Sequence, residues 1–426
     1  MTRADHRTPP KTTPYWWDYA PPAGIAPQPL PATADAVVIG SGYTGLHAAL
    51  QIARGGRSVV VLEKGVVGEG CSTRNGGQVS TSVKPKLATL TQRHGAQTAR
   101  AILAEGVASR AFVEDFIRDE GIACDFRACG RFHAAASPRA FAALAEIADG
   151  ETITLVPRER QREELGTDAY HGGAVFHRHA ALDPGLYHAG LLAKVLDAGA
   201  IVLPHTPATA IDETADAVTI ATPRGTITAR DVVVATNGYT GDALPWHRRR
   251  VIPIGSYIIA TEPLDPTLVR QLFPTGRIAS DSRRVVYYYR VSPDGRRILF
   301  GGRTSAGETG ARQGGMRLRR EMCALFPELE SAAISHAWMG FVGYTFDELA
   351  HTGRRGRLEY AMGYCGSGVG MASYLGMKAG RRVLGDPAGA TALMQPDFST
   401  RPLYSGDPWF LPAAVTAYRV LDRLGL

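Results

Sequence analysis

At 426 residues the chain exceeds one small core, and a hydrophobic fraction of 45% beside a charged fraction of 20% is that of an ordinary globular enzyme. No apolar run approaches the roughly 20 residues that cross a bilayer, and the proline-rich start lacks the apolar stretch of an export signal, so the expectation is a cytoplasmic protein with no membrane span. The formal charge of +7 is carried by scattered arginines, which argues for solvated surface or a small anionic ligand and against a nucleic-acid partner.

The five cysteines, Cys71, Cys124, Cys129, Cys323 and Cys365, form no CxxC pair and have no zinc-type histidine spacing. No metal site and no dithiol redox centre is predicted.

Residues 1–33 are rich in proline and carry Tyr15, Trp16 and Trp17, which predicts an extended arm packed across the body. The run Ala36-Val37-Val38-Ile39 suits a strand buried on both faces. Helical spacing follows over 43–54, Gly55-Gly56 ends it, and Ser58 to Leu62 supplies a second strand, giving a βαβ unit.

Residues 86–120 read as helical, and a mixed region runs to about 165. Strand-like runs return at 200–203, 217–220 and 231–235, and the alternating block 251–303 reads as an antiparallel sheet. A glycine-rich turn at 363–370 opens another helix, and a last helix follows Pro412.

The chemistry starts at Gly40-Ser41-Gly42-Tyr43-Thr44-Gly45, between the first strand and helix. Gly40 permits the tight turn, Gly42 lets backbone approach a pyrophosphate, and Gly45 lets the helix pack on the strand. The phosphates would sit on the helix N-terminus. Glu63 closes the second strand where a carboxylate can take the ribose hydroxyls, which favours FAD or NAD over NADP.

The next segment, Gly70-Cys71-Ser72-Thr73-Arg74-Asn75-Gly76-Gly77-Gln78, resembles the signature of the D-amino acid oxidase-like flavoproteins, in particular the gamma-glutamylputrescine oxidase branch. Further landmarks resemble the same family: Tyr15-Trp16-Trp17, Thr236-Asn237-Gly238-Tyr239, Tyr289-Arg290, Gly301-Gly302-Arg303, Trp338-Met339-Gly340 and Gly363-Tyr364-Cys365-Gly366.

The resemblance implies an α/β fold: a Rossmann-type FAD-binding domain of the glutathione-reductase-like kind, with an α+β substrate lobe built on an antiparallel sheet. Its segments would be 34–85, 168–245 and 325–400 for FAD and 86–167 with 246–324 for substrate, flanked by the arm 1–33 and a C-terminal helix in 401–426.

The same resemblance gives FAD contacts to Gly40, Ser41, Gly42, Tyr43, Thr44, Gly45, Glu63, Lys64 and the turn Cys71, Ser72, Thr73, Arg74, Asn75, Gly76, Gly77, Gln78. Pro207 and Ala208 would lie at the adenine, and Thr236 and Asn237 beside the pyrophosphate. The late turn Gly366, Ser367, Gly368, Val369, Gly370, Met371 would face the flavin with a helix N-terminus, where positive potential stabilises the charge of the reduced ring. Two departures stand out: Cys365 and Ser367 replace the serine and histidine common in the family. Cys365 is read as packing, so FAD is held without a covalent bond, and Cys71 as a small turn residue.

Substrate contacts are expected from the strand block: Tyr257, Tyr287, Tyr289, Arg290 and Arg303, with arginine offering a fork to an acidic group and tyrosine orienting an amine. His179 and His247 read as ordinary histidines. The expected reaction is oxidation of a small amine or amino acid, with an acidic group on the substrate and O2 as electron acceptor. A dehydrogenase serving a quinone or partner protein is the alternative raised by Leu299, which stands where sarcosine-oxidase-like relatives carry a lysine. A non-catalytic flavin-binding subunit is the third reading.

Overall fold

The computed structural model describes residues 9–303 and 307–424. Valines and isoleucines of Thr33–Ile39 and Val59–Leu62 are buried on both faces, which suits parallel strands covered above and below. These strands pair in parallel with each other, and Thr33–Ile39 pairs in parallel with Gly225–Val234 on its other side.

The first sheet runs His351–Arg355, Leu358–Met362, Gly225–Val234, Thr33–Ile39, Val59–Leu62, Ile201–Leu203, with Val218–Thr222 and Ala210–Glu213 attached antiparallel to Gly225–Val234. Helix Tyr43–Arg54 packs against helix Gly368–Leu384. A Cβ on Gly376 would collide with the Thr44 carbonyl, and one on Gly380 would come within 2.6 Å of the Ala48 carbonyl, so small residues one turn apart let the two backbones meet.

The second sheet runs Ile334–Tyr344, Ile252–Thr261, Ile298–Gly302, Tyr287–Val291, Ile278–Asp281, Arg131–Ala134, Gly173–Phe176, Ile153–Val156. Helix Ala311–Leu325 seals one face over Tyr257, Ile259, Tyr289 and Phe300.

Three expectations are corrected. The second sheet is mixed, because Ile278–Asp281 pairs in parallel with Arg131–Ala134. Residues 334–344 belong to it and not to the first sheet, since they pair with Ile252–Thr261 along almost their whole length, and Gly173–Phe176 likewise pairs with Arg131–Ala134. The helical stretch 86–120 is two helices, Leu87–His94 and Ala96–Glu120, broken at Gly95 with φ +80°.

The arm docks as an added edge: the Lys11 N–H donates to Ser335 O (2.9 Å) and the Ala337 N–H donates to Lys11 O (2.8 Å). Trp16 is fully buried behind it. At the other terminus Leu411–Leu424 packs Leu411 and Val415 on Val285, and the Asp422 carboxylate accepts the N–H of Arg284 (2.8 Å) and Val285 (3.1 Å). Among the described residues no helix is long and apolar enough to cross a membrane.

Candidate functional site

Between the two sheets lies a cleft of about 2760 Å³ that joins the first glycine turn to the uncovered face of the second sheet. At its near end the three glycines have separable duties. Gly40 sits at φ +106°, where a Cβ would stand 2.9 Å from Ala235 O; Gly42 leaves room beside Ser72, whose Oγ a Cβ would approach to 2.9 Å; and a Cβ on Gly45 would collide with Gly40 O. Gly45 therefore packs the helix and does not line the cleft.

The Glu63 carboxylate accepts the Ser41 N–H (2.9 Å), the Ser41 hydroxyl (2.6 Å) and the Gly65 N–H (3.2 Å), which fixes it at the cleft wall with Lys64, Pro207 and Ala208. His188, which the sequence reading missed, bonds the Ser41 carbonyl from below through Nε2 (2.8 Å), and burial holds its pKa down. Asn237 adopts φ +44° and its Oδ1 accepts the Gly363 N–H (2.9 Å), tying the strand end to the late turn; Thr236 lines the cleft beside it.

The second turn, 71–78, is held from all sides. Asn75 donates to the carbonyls of Ser72 (2.8 Å) and Cys71 (3.2 Å) and accepts the Gly77 N–H (2.8 Å). Three indoles add their N–H groups: Trp16 to Asn75 O (3.0 Å), Trp17 to Thr73 Oγ1 (2.9 Å) and Trp338 to Arg74 O (2.9 Å). Cys71, Ser72, Arg74, Asn75, Gly76 and Gln78 line the cleft, whereas Thr73 and Gly77 turn into the body, Gly77 because a Cβ there would collide with Leu182 O.

At the late turn Gly366, Ser367, Gly368 and Val369 line the cleft, and the 17-residue helix Gly368–Leu384 starts there. Gly370 packs on Ser109 and Met371 is buried, so neither reaches the cavity.

These residues fit a dinucleotide. Two helix N-termini, at Tyr43 and at Gly368, border one cavity; nothing stands within 4 Å of a Cβ built on Gly368; and a carboxylate waits at the second strand's end. The thiols fit a non-covalent mode. Burial pushes Cys71 and Cys365 each up to about 11, which keeps both protonated at neutral pH, and the Cys365 Sγ lies 3.1 Å from Gly363 O.

The opposite wall corrects the expected substrate contacts, because the sheet's alternation sets which tyrosine faces the cleft. Tyr257, Tyr287 and Tyr289 point to the side covered by Ala311–Leu325, where the Tyr289 hydroxyl donates to Tyr170 (3.1 Å) and its ring stacks on Phe300. Tyr288 faces the cleft instead, with its hydroxyl 2.9 Å from the Ser256 hydroxyl.

Tyr288 pairs with Gly301, the residue that leaves room for its ring, since a Cβ on Gly301 would collide with it; the glycine is in the sequence, but its meaning waits on the pairing. Arg290 lies on the cleft side of the strand, yet its guanidinium runs under the second turn and donates to Leu182 O (2.8 Å) and Gly77 O (3.2 Å). It supports the turn and does not line the cavity. Arg303 does line it, bonded to Gly255 O (3.0 Å) and to Glu308 (3.0 Å).

Leu299 is buried with Trp16, Ile258 and Trp338. The cleft has a lysine from elsewhere: Lys84 donates to the Tyr344 hydroxyl (3.2 Å) and lies 3.5 Å from Glu348. Burial alone would lower its pKa, but Tyr344 and Glu348 outweigh that and hold it above the usual lysine range. His179 and His247 are buried and neutral, pulled down by burial to about 2 and about 3. Among the described residues no group of three or more His, Cys, Asp or Glu could hold a metal ion.

The family model described as DAO, FAD dependent oxidoreductase, matches residues 35–382. The chain is 32% identical over 402 residues, 92% of each chain, to "Probable oxidoreductase OrdL" of Rhizobium meliloti. It is 31% identical over 345 residues to the gamma-glutamylputrescine oxidoreductase of Escherichia coli, covering 79% of this chain and 80% of that one. Among solved structures, glycine oxidase from Geobacillus kaustophilus superposes with a TM-score of 0.70 at 20% identity, covering 87% of this chain and 99% of the other.

Proposed function

Because the chain belongs to the DAO family of FAD dependent oxidoreductases, we propose that it oxidises a small amine or amino acid in the cleft between its two sheets. The observation that carries this reading is the pairing of walls: the turn 71–78 on one side, and the Tyr288–Ser256 hydroxyl pair on the other, line one cavity. The relatives support an amine, since one is named for gamma-glutamylputrescine and a structural neighbour is a glycine oxidase.

FAD, which the first glycine turn, Glu63 and the turn 71–78 would hold, would supply the acceptor for the hydride of the amine α-carbon, with dioxygen receiving the two electrons and two protons as hydrogen peroxide. The substrate leaves as an imine, which water hydrolyses to an aldehyde or keto acid plus ammonia or an amine.

The chain's residues act by position and charge. Burial raises the Tyr288 pKa, so its phenol stays neutral and orients the amine through hydrogen bonding without taking its proton. An uncharged amine needs no strong base, and the buried histidines offer none. The two helix N-termini supply positive potential to the dinucleotide's anionic groups. Lys84 also lines the cavity, and its ammonium, although paired with Glu348, would stabilise the negative charge that dioxygen gains as it is reduced.

The test is anaerobic mixing of the FAD-loaded protein with a panel of small amines, amino acids and N-alkyl derivatives while flavin absorbance is followed. At least one should bleach the flavin within seconds. A panel that leaves the spectrum unchanged refutes the reading.

A further inference from the structure

The last helix, Leu411–Leu424, turns an apolar stripe toward the cleft. Leu411, Ala414, Val415 and Tyr418 recur at helical spacing, which puts them on one face, and all four line the cavity. Little of that stripe is used in packing: Leu411 and Val415 touch Val285, with Ile254 beside them, in a cluster far smaller than the cores of either sheet. Polar bonds pin the helix at its far end. The Asp422 carboxylate accepts the N–H of Arg284 and Val285, and the Arg419 guanidinium donates to Arg303 O (3.2 Å). The helix lies beyond residue 382, where the family match ends, so the family assignment gives it no role.

The sheet continues the apolar surface. Ile252–Thr261 and Tyr287–Val291 both pair antiparallel with Ile298–Gly302, so they run in the same direction. Two residues back from the Ser256–Tyr288 hydroxyl pair stand Ile254 on one chain segment and Val286 on the other, and both line the cleft. A polar grip therefore adjoins an apolar compartment. Charges stay at its margin: Arg303 is bonded to Glu308, and Arg284 is exposed, its guanidinium carbon 5.8 Å from the centre of the Tyr418 ring. Room is available as well, because a cleft of about 2760 Å³ exceeds the roughly 300–1,000 Å³ of most small-molecule pockets.

We propose that the C-terminal helix is the specificity wall of the cleft, receiving the hydrocarbon substituent of an amine held at the Tyr288–Ser256 pair. This rests on the amine-oxidation reading and narrows it to amines that carry an apolar group. Hydrocarbon that displaces water from Leu411, Ala414 and Val415 binds in proportion to the area it covers, so the wall rewards size until the compartment is full.

The test is calorimetric titration of the FAD-loaded protein with tert-butylamine and with the longer tert-octylamine, neither of which has an α-hydrogen to lose. Each buried methylene is worth about fourfold, so the wild type should prefer tert-octylamine at least tenfold. Ala414→Trp, which fills the compartment, should cut that preference at least fivefold while FAD is retained and tert-butylamine binds as before. Should Ala414→Trp fail to fold, Tyr418→Asn, at a side chain 45% exposed, decides alone by cutting the preference more than twofold.

A wild type that binds neither amine or shows no preference, or a deciding variant whose preference stays within twofold of wild type, overturns the proposal. A protein that shows the preference and loses it in the variant, yet is bleached by no amine bearing an α-hydrogen, would instead refute the amine-oxidation reading and leave the compartment standing.

Discussion

Trp16 donates its indole N–H to the carbonyl of Asn75 across 3.0 Å, so a residue of the N-terminal arm fixes a turn that lines the cleft proposed to hold the flavin. Trp16 is fully buried, and removing its donor leaves a carbonyl without a partner, at a cost of about 1–3 kcal/mol. Trp16→Phe should therefore weaken FAD binding about tenfold or more, measured by the fluorescence of released FAD on dilution. Unchanged affinity would show that the arm merely covers the sheet.

Glu63 should matter through its charge. Glu63→Gln keeps the shape but gives up charge-assisted hydrogen bonds of roughly 1.5–3 kcal/mol, so the FAD dissociation constant should rise at least tenfold in titrations of deflavinated protein. An affinity equal to wild type would remove Glu63 from the dinucleotide site.

Tyr288 and Tyr289 are adjacent but face opposite ways, which makes them a matched pair. Tyr288→Phe should slow amine-driven flavin bleaching about tenfold or more. Tyr289→Phe should leave bleaching within about twofold and lower stability by about 1 kcal/mol, because it loses the bond to Tyr170. The reverse pattern would invert the assignment of the sheet's two faces.

Much of this was legible in the sequence, and the reasons differ by element. The first glycine turn and Glu63 are local features: the backbone conformation of Gly40 and the carboxylate at a strand end follow from a short βαβ stretch. The face of the Tyr287–Val291 strand was not legible, because three consecutive tyrosines give no alternation from which to read its phase. Gly301 opposite Tyr288 carries that information, yet it becomes meaningful only once the pairing is known. Lys84 follows the second turn closely but belongs to no motif, and its role lies in what surrounds it in space. Residues 334–344 were grouped with the wrong sheet because their partner strand lies about 80 residues earlier in the chain.

Three buried histidines set an acid limit. Burial holds His47, His179 and His247 down to about 3, 2 and 3, against an ordinary value of 6.5. Below pH 6.5 the unfolded chain binds protons that the folded chain refuses, so stability is intact above that pH and is lost as pH falls toward the folded values. The combined slope reaches up to about 4 kcal/mol per pH unit. Melting of the FAD-loaded protein should drop steeply between pH 7 and 5, and an unchanged melting temperature would contradict the buried, neutral state of these groups.

Lys84→Met should separate the two half-reactions. Reoxidation by dioxygen in stopped-flow mixing should slow about tenfold, while anaerobic bleaching by amine changes less. Equal reoxidation rates would take Lys84 out of the oxygen reaction, and wild-type reoxidation over minutes would mark a different electron acceptor.

The central claim is that a carbon–hydrogen bond of an amine is broken in the cleft between the two sheets. Its most direct measurement is the rate of anaerobic flavin bleaching by a reactive amine and by the same amine deuterated at its α-carbon. The account predicts bleaching that is several-fold slower with deuterium and slowed further by Tyr288→Phe. Equal rates for the two isotopic forms, or no bleaching by either, would contradict it.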